Sequence, residues 1–178
     1  MSTDVNLVLA TPDEMRAACP GYREALAEPV TLTIVNPFTK QPQQIKSWDP
    51  EPFAPFPAEV VAAPSLDGLK QAYKDGLDAD HLRSLAAVLG EAKGARAVVP
   101  FLIVPPDLTT LAVEIIALPF AARLAALTDD EATTAAPAWS AVIHGDDATC
   151  ERWIAALRAF AVQARDQGRR IFAVVTES

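Results

Sequence analysis

Trp139-Ser140-Ala141-Val142-Ile143-His144-Gly145-Asp146-Asp147, running on through residues 148–167 to Gly168-Arg169-Arg170-Ile171-Phe172-Ala173-Val174-Val175, is the stretch on which the fold turns. Residues 139–144 read as a strand and Gly145-Asp146-Asp147 as a turn with an acidic cap. Residues 148–167 carry helical spacing. Cys150, Ile154, Leu157 and Ala161 share one apolar face, which Trp153, Phe160 and Ala164 widen. Gly168 stands at the C′ position, and residues 170–175 read as a final strand. Asp146, Asp147 and Glu151 lie near the positive end of this helix, and Arg165, Arg169 and Arg170 at or past its negative end. Two strands sharing a sheet in parallel around one helix would make a right-handed βαβ unit. The class expected from this unit and the rest of the chain is α+β. It comprises one domain over residues 1–178, a mixed β-sheet, a hairpin in the N-terminal half and helices mainly on one face.

Upstream, residues 5–9 read as a short strand entering a helix. Thr11-Pro12-Asp13-Glu14 supplies a hydroxyl cap, a first-turn proline and a glutamate three residues after the cap. Pro20-Gly21 stops that helix, and residues 22–26 read as one more turn. Val30-Thr31-Leu32-Thr33-Ile34-Val35, the turn-forming Asn36-Pro37 and residues 43–48 predict a hairpin whose turn offers Phe38 and Lys40, with the aromatic expected to fold back over its own strands. Pro64-Ser65-Leu66-Asp67 opens a predicted helix through Leu69 and Tyr73. After a pause at Asp75-Gly76, a second runs from Asp78 or Asp80 to Lys93 and ends at Gly94, with Leu82, Leu85 and Leu89 on its buried face. Residues 97–104 read as a buried strand despite Pro100, and Pro105-Pro106-Asp107-Leu108 as a turn. Residues 111–118 fit a strand better than a helix, because Val and Ile dominate and Pro119 ends the run. Pro119 then suits the first turn of a helix to about Leu127, and residues 129–137 read as a solvated loop or frayed helical end.

Between the hairpin and these helices lies Trp48-Asp49-Pro50-Glu51-Pro52-Phe53-Ala54-Pro55-Phe56-Pro57, the core of a Pro-rich segment over residues 48–64. Each proline removes a donor and pushes its predecessor toward extended geometry, so the segment is read as a stiff strap. Phe53 and Phe56 are three apart, the repeat of polyproline II, and would fall on one side of it. Trp48, Phe53 and Phe56 then either anchor a partner or cover the chain's own sheet. Facing outward, Asp49 and Glu51 would meet a basic surface.

Composition bounds the function. The 178 residues carry a formal net charge of −8 and are 51% hydrophobic, which points to a packed core and away from disorder. That charge repels phosphate, so neither nucleic acid nor an anionic membrane is expected as partner. A basic protein is compatible with it. No signal peptide or spanning helix is legible, and Cys19 and Cys150 show no metal-ligand spacing, so a cytoplasmic chain with reduced thiols is expected. Cys150 reads as an inert thiol on an apolar helix face, and Cys19 as one that could be exposed. No nucleophile elbow, phosphate loop or dinucleotide fingerprint is present. No cofactor and no metal are expected. The balance leans away from an enzyme and toward a non-catalytic protein-binding module, such as a small acidic inhibitor or immunity-type protein. Its binding residues would be Trp48, Asp49, Glu51, Phe53 and Phe56. The alternative is a small enzyme or ligand-binding protein with His144 as base at a strand end, oriented by Asp146 or Asp147.

Overall fold

The computed structural model describes residues 3–57, 63–74, 76–91, 94–106, 108 and 110–177. Residues 58–62 of the strap, Asp75, Lys93 at the predicted helix end and Asp107 in the predicted turn lie outside them. The class is α+β. Strand β1 (Thr3–Ala10) leads through a complete Thr11/Glu14 capping box into α1 (Pro12–Ala18). A short strand β2 (Arg23–Glu24) follows, then the hairpin β3 (Val30–Val35) and β4 (Pro42–Ser47), the strap, β5 (Lys70–Lys74) and α2 (Ala79–Val88). One turn of 3-10 helix, Gly94–Arg96, precedes β6 (Val98–Ile103) and β7 (Thr110–Ile116). Helices α3 (Leu118–Ala125), α4 (Asp129–Ile143) and α5 (Asp147–Asp166) then lead to β8 (Arg170–Glu177).

Strands β2, β6, β7, β8, β1 and β5 form one sheet in that order, while β3 and β4 form a sheet of their own. The centre of the large sheet is buried on both faces. Along β8, Ile171, Ala173 and Val175 pack against α2, α3, α4 and α5, whereas Phe172 and Val174 face Met15 and Ala18 of α1 and the partly buried Phe101. Phe101 meets Phe172 edge-on with ring centroids 4.8 Å apart. Among the described residues, helices α2, α3, α4 and α5 thus lie on one face and α1 on the other.

The C-terminal unit differs from its expectation. Residues 139–143 close the helix α4, so the unit is helix–helix–strand and contains no βαβ crossover. With that strand goes the parallel pairing it implied, and the ladders among the described strands of the large sheet are all antiparallel. The cause lies eleven residues upstream of Trp139. Thr128 and Glu131 form a capping box that starts a helix, and Trp139 is fully buried from it, its Nε1 donating to Ser84 Oγ at 2.9 Å. Burial of that large ring outweighs the β-propensity of Val142 and Ile143. Pro137 sits inside the helix.

Two smaller segments also changed type. Residues 23–24 pair with Leu102 and Ile103 of β6 instead of adding a helical turn, and residues 70–74 pair with β1 instead of continuing a helix. Both are edge strands, so a neighbouring ladder settled what local propensity left open. Helix α2 turns at Gly90 (φ 81°), short of the expected Gly94. Pro100 is accommodated where the β6–β7 register shifts, the usual place for a proline within a sheet.

Candidate functional site

The site is built on Arg23, a residue that nothing in its sequence neighbourhood distinguishes. In β2 it is registered with Ile103 of β6, at the edge of the large sheet. There the guanidinium reaches back to the strap. Nη1 donates to both oxygens of Asp49, at 2.8 and 2.7 Å, and to the carbonyl of Glu51. Nη2 donates to the carbonyl of Ala54 at 3.0 Å, and the Phe56 ring lies over the guanidinium, 4.4 Å from its carbon to the ring centroid. The Arg23 and Asp49 side chains are only 15% and 14% exposed, so this pair is far better shielded than an ordinary surface ion pair.

This anchoring divides the predicted binding residues. Phe56 is half-buried against Arg23, while Phe53 is 78% exposed. They do not share one side of a polyproline strap, because a turn closed by Ala54 N–H to the Glu51 carbonyl (3.0 Å) interrupts it. Asp49 is spent within the chain, and it also accepts from the Glu51 amide at 2.8 Å, an Asx turn that fixes the start of the strap. The Glu51 side chain is exposed. Trp48 is half-buried, its carbonyl accepting from Leu26 N–H at 2.8 Å, which ties the base of the hairpin to the segment after β2.

From that base the β3–β4 hairpin projects. Its register pairs Val30 with Ser47, Leu32 with Ile45 and Ile34 with Gln43, giving one face that carries Val30, Leu32, Ile34 and Ile45. No residue of either strand is buried. At the tip Asn36 Oδ1 accepts from the amides of Phe38 (2.9 Å) and Thr39 (3.1 Å), and Lys40 takes a positive φ of 58°. Phe38 does not fold back over its own strands; it is 93% exposed, and Val35 beside it 65%.

Between the hairpin base and strands β6 and β7 runs a groove of about 370 Å³, lined by Lys46, Trp48, Asp49, Ile103, Leu111 and Glu114 among others. Glu114 is buried. Its Oε1 accepts from Arg83 Nη2 at 2.6 Å, while Oε2 has no donor among the described residues. Burial pushes its pKa up, against the pull of Arg83 and with the help of Asp80 and Asp78.

His144 is not at a strand end. It caps α4 in the left-handed conformation (φ 55°, ψ 33°) and is exposed. Its neighbouring carboxylates are engaged elsewhere: Asp146 Oδ1 caps α5 by accepting from Thr149 N–H at 2.8 Å, and Asp147 accepts from the Ser140 hydroxyl. Both cysteines are buried and free. Burial pushes the Cys19 thiol up to about 11 and, together with Asp146 and Asp147, raises that of Cys150. Cys19, for which the sequence left exposure open, is therefore a packed side chain of the α1 face. No cluster of His, Cys, Asp or Glu able to hold a metal occurs among the described residues, and no helix among them is long and apolar enough to cross a membrane.

The chain matches no protein-family model, no curated protein and no solved structure.

Proposed function

We propose that this chain is a non-catalytic protein-binding module whose docking surface is the β3–β4 hairpin with the outward edge of the strap. One observation carries the reading: a hairpin with an apolar face and no buried residue, held at its base by the Arg23 anchor. An isolated two-stranded hairpin is marginal in water, and apolar side chains on it gain only when something covers them. Phe38 and Phe53 are the exposed aromatics of this surface, a residue type favoured at interface hot spots. Pre-ordering by the Asx turns at Asn36 and Asp49 lowers the entropy lost on docking.

The occupant is a protein with a basic surface. The formal charge of −8 favours it and disfavours phosphate-bearing partners. An inhibitor that neutralises a basic partner by covering it is the form of this reading that the charge supports best.

The test is affinity capture on the wild-type chain and on a Phe38→Ser/Phe53→Ser double variant, read beside urea denaturation of both. The expected result is a partner of basic pI retained by the wild type, released by raised salt, and lost by a variant whose unfolding midpoint is unchanged. A partner held equally by both proteins, or an acidic one indifferent to salt, overturns the proposal.

A further inference from the structure

A second concavity lies away from the hairpin, where α3, the C-terminal part of α5 and the start of β8 meet. It is an open depression of about 170 Å³, walled by Ile171 and small apolar residues, with the exposed Leu118 and Ala122 at its mouth and Arg165, Arg169 and Arg170 among its lining. Three arginines line this depression in a chain of net charge −8. Two of them are matched. Arg165 pairs with the adjacent Asp166 at 3.0 Å, and Arg169 with Glu14 at 2.9 Å, also donating to the Leu9 carbonyl.

Arg170 is not matched. It is half-buried, and its one side-chain hydrogen bond among the described residues is Nη2 to the Ile116 carbonyl at 3.4 Å. A guanidinium has five N–H donors, so most of its capacity is unused. Burial alone pulls its pKa down, with no carboxylate opposing. Its side-chain hydrogen bond goes to β7 and not to the last carbonyls of α5.

We propose that this cavity binds a small organic monoanion, a carboxylate on a short apolar chain or ring, with the carboxylate on Arg170 and the hydrocarbon against Leu118, Ala122 and Ile171. The single unmatched charge selects a monoanion over a phosphate dianion, and guanidinium geometry suits a carboxylate bidentately. The volume sets the size: pockets for drug-sized ligands start near 300 Å³, so only a short body fits here. The site is independent of the hairpin.

Isothermal titration calorimetry of the wild-type chain with octanoate, octanol, octylamine and inorganic phosphate tests it. Octanoate is expected to bind saturably at one site, and the other three at least about tenfold more weakly, as loss of a charge-assisted pair implies. Arg170→Gln should weaken octanoate by about tenfold or more, Arg170→Lys should recover part of that, and Ala122→Phe should abolish binding by filling the cavity. Ala122 is exposed at the surface, so that variant decides the matter even where Arg170→Gln does not fold. Octanol binding as tightly as octanoate, phosphate binding better, unchanged affinity in the folded Arg170→Gln or Ala122→Phe variant, or no saturable heat with octanoate each overturns the proposal.

Discussion

At the scale of single residues, Arg23 shows how one side chain decides the conformation of a segment twenty-six to thirty-three positions away. Four prolines make residues 48–57 stiff, but stiffness alone does not say where a strap lies. The position is set by Arg23, whose guanidinium takes both Asp49 oxygens and two strap carbonyls and leaves Phe56 stacked upon it. Replacing it with leucine strands the shielded Asp49 carboxylate and releases those carbonyls. The expected loss is about 2–4 kcal/mol of unfolding free energy, somewhat below the cost of breaking a fully buried pair. The two phenylalanines should separate in the same urea experiment. Phe56→Ala is expected to cost about 1 kcal/mol through its lost stacking and packing, and Phe53→Ala close to nothing. Equal effects from both would refute the inward and outward assignment. Phe53 and Phe56 look interchangeable in sequence, and Arg23 looks like any other arginine. What distinguishes them is a contact between positions 23 and 56 that no local pattern encodes.

At the scale of elements, most starts and stops were legible because they rest on local chemistry. The Thr11 capping box, Asp78 before α2, Pro119 in the first turn of α3 and Gly168 after α5 each satisfy or terminate backbone groups within a few residues. The hairpin was legible for the same reason, with Asn36 organising its own turn. Helix α4 was not, although its capping box is as complete as that of α1. The Ala- and Thr-rich run after Thr128, the internal Pro137 and the β-branched Val142 and Ile143 masked it, and its apolar stripe is narrow. Thr128→Ala tests the reassignment. If residues 129–143 form one capped helix, the variant should lose about 1 kcal/mol of stability in urea denaturation. A loop at 129–137 followed by a strand would be indifferent to the change.

For the whole molecule, a six-stranded sheet covered on both faces gives the core, and the hairpin stands outside it as an appendage. Acid should destabilise it through groups spread over that surface. Arg123 and the Thr128 backbone hold Glu131 down to about 2 from 4.5, and the Thr11 backbone, with Arg169, lowers Glu14. A carboxylate with a depressed folded pKa contributes stability above its unfolded value and loses it as pH falls toward the folded one. The urea midpoint is therefore expected to decline from near pH 4.5 toward pH 2, with a shallower decline in Glu131→Gln. A variant as acid-sensitive as the wild type would contradict this. Glu114 works in the opposite sense, since burial raises its pKa and any stability it lends is lost as pH climbs above its unfolded value. The sequence by itself determined the class, the capped starts of α1, α2 and α5, the hairpin, the inert Cys150 and the acidic character. These depend on composition or on neighbours within one or two turns of chain. Only the tertiary structure decided the identity of residues 139–143, the pairing of the edge strands, the burial of Cys19, the anchoring of the strap and the unmatched state of Arg170. Each of those is a balance struck between groups far apart in the chain, where burial and pairing outweigh local propensity.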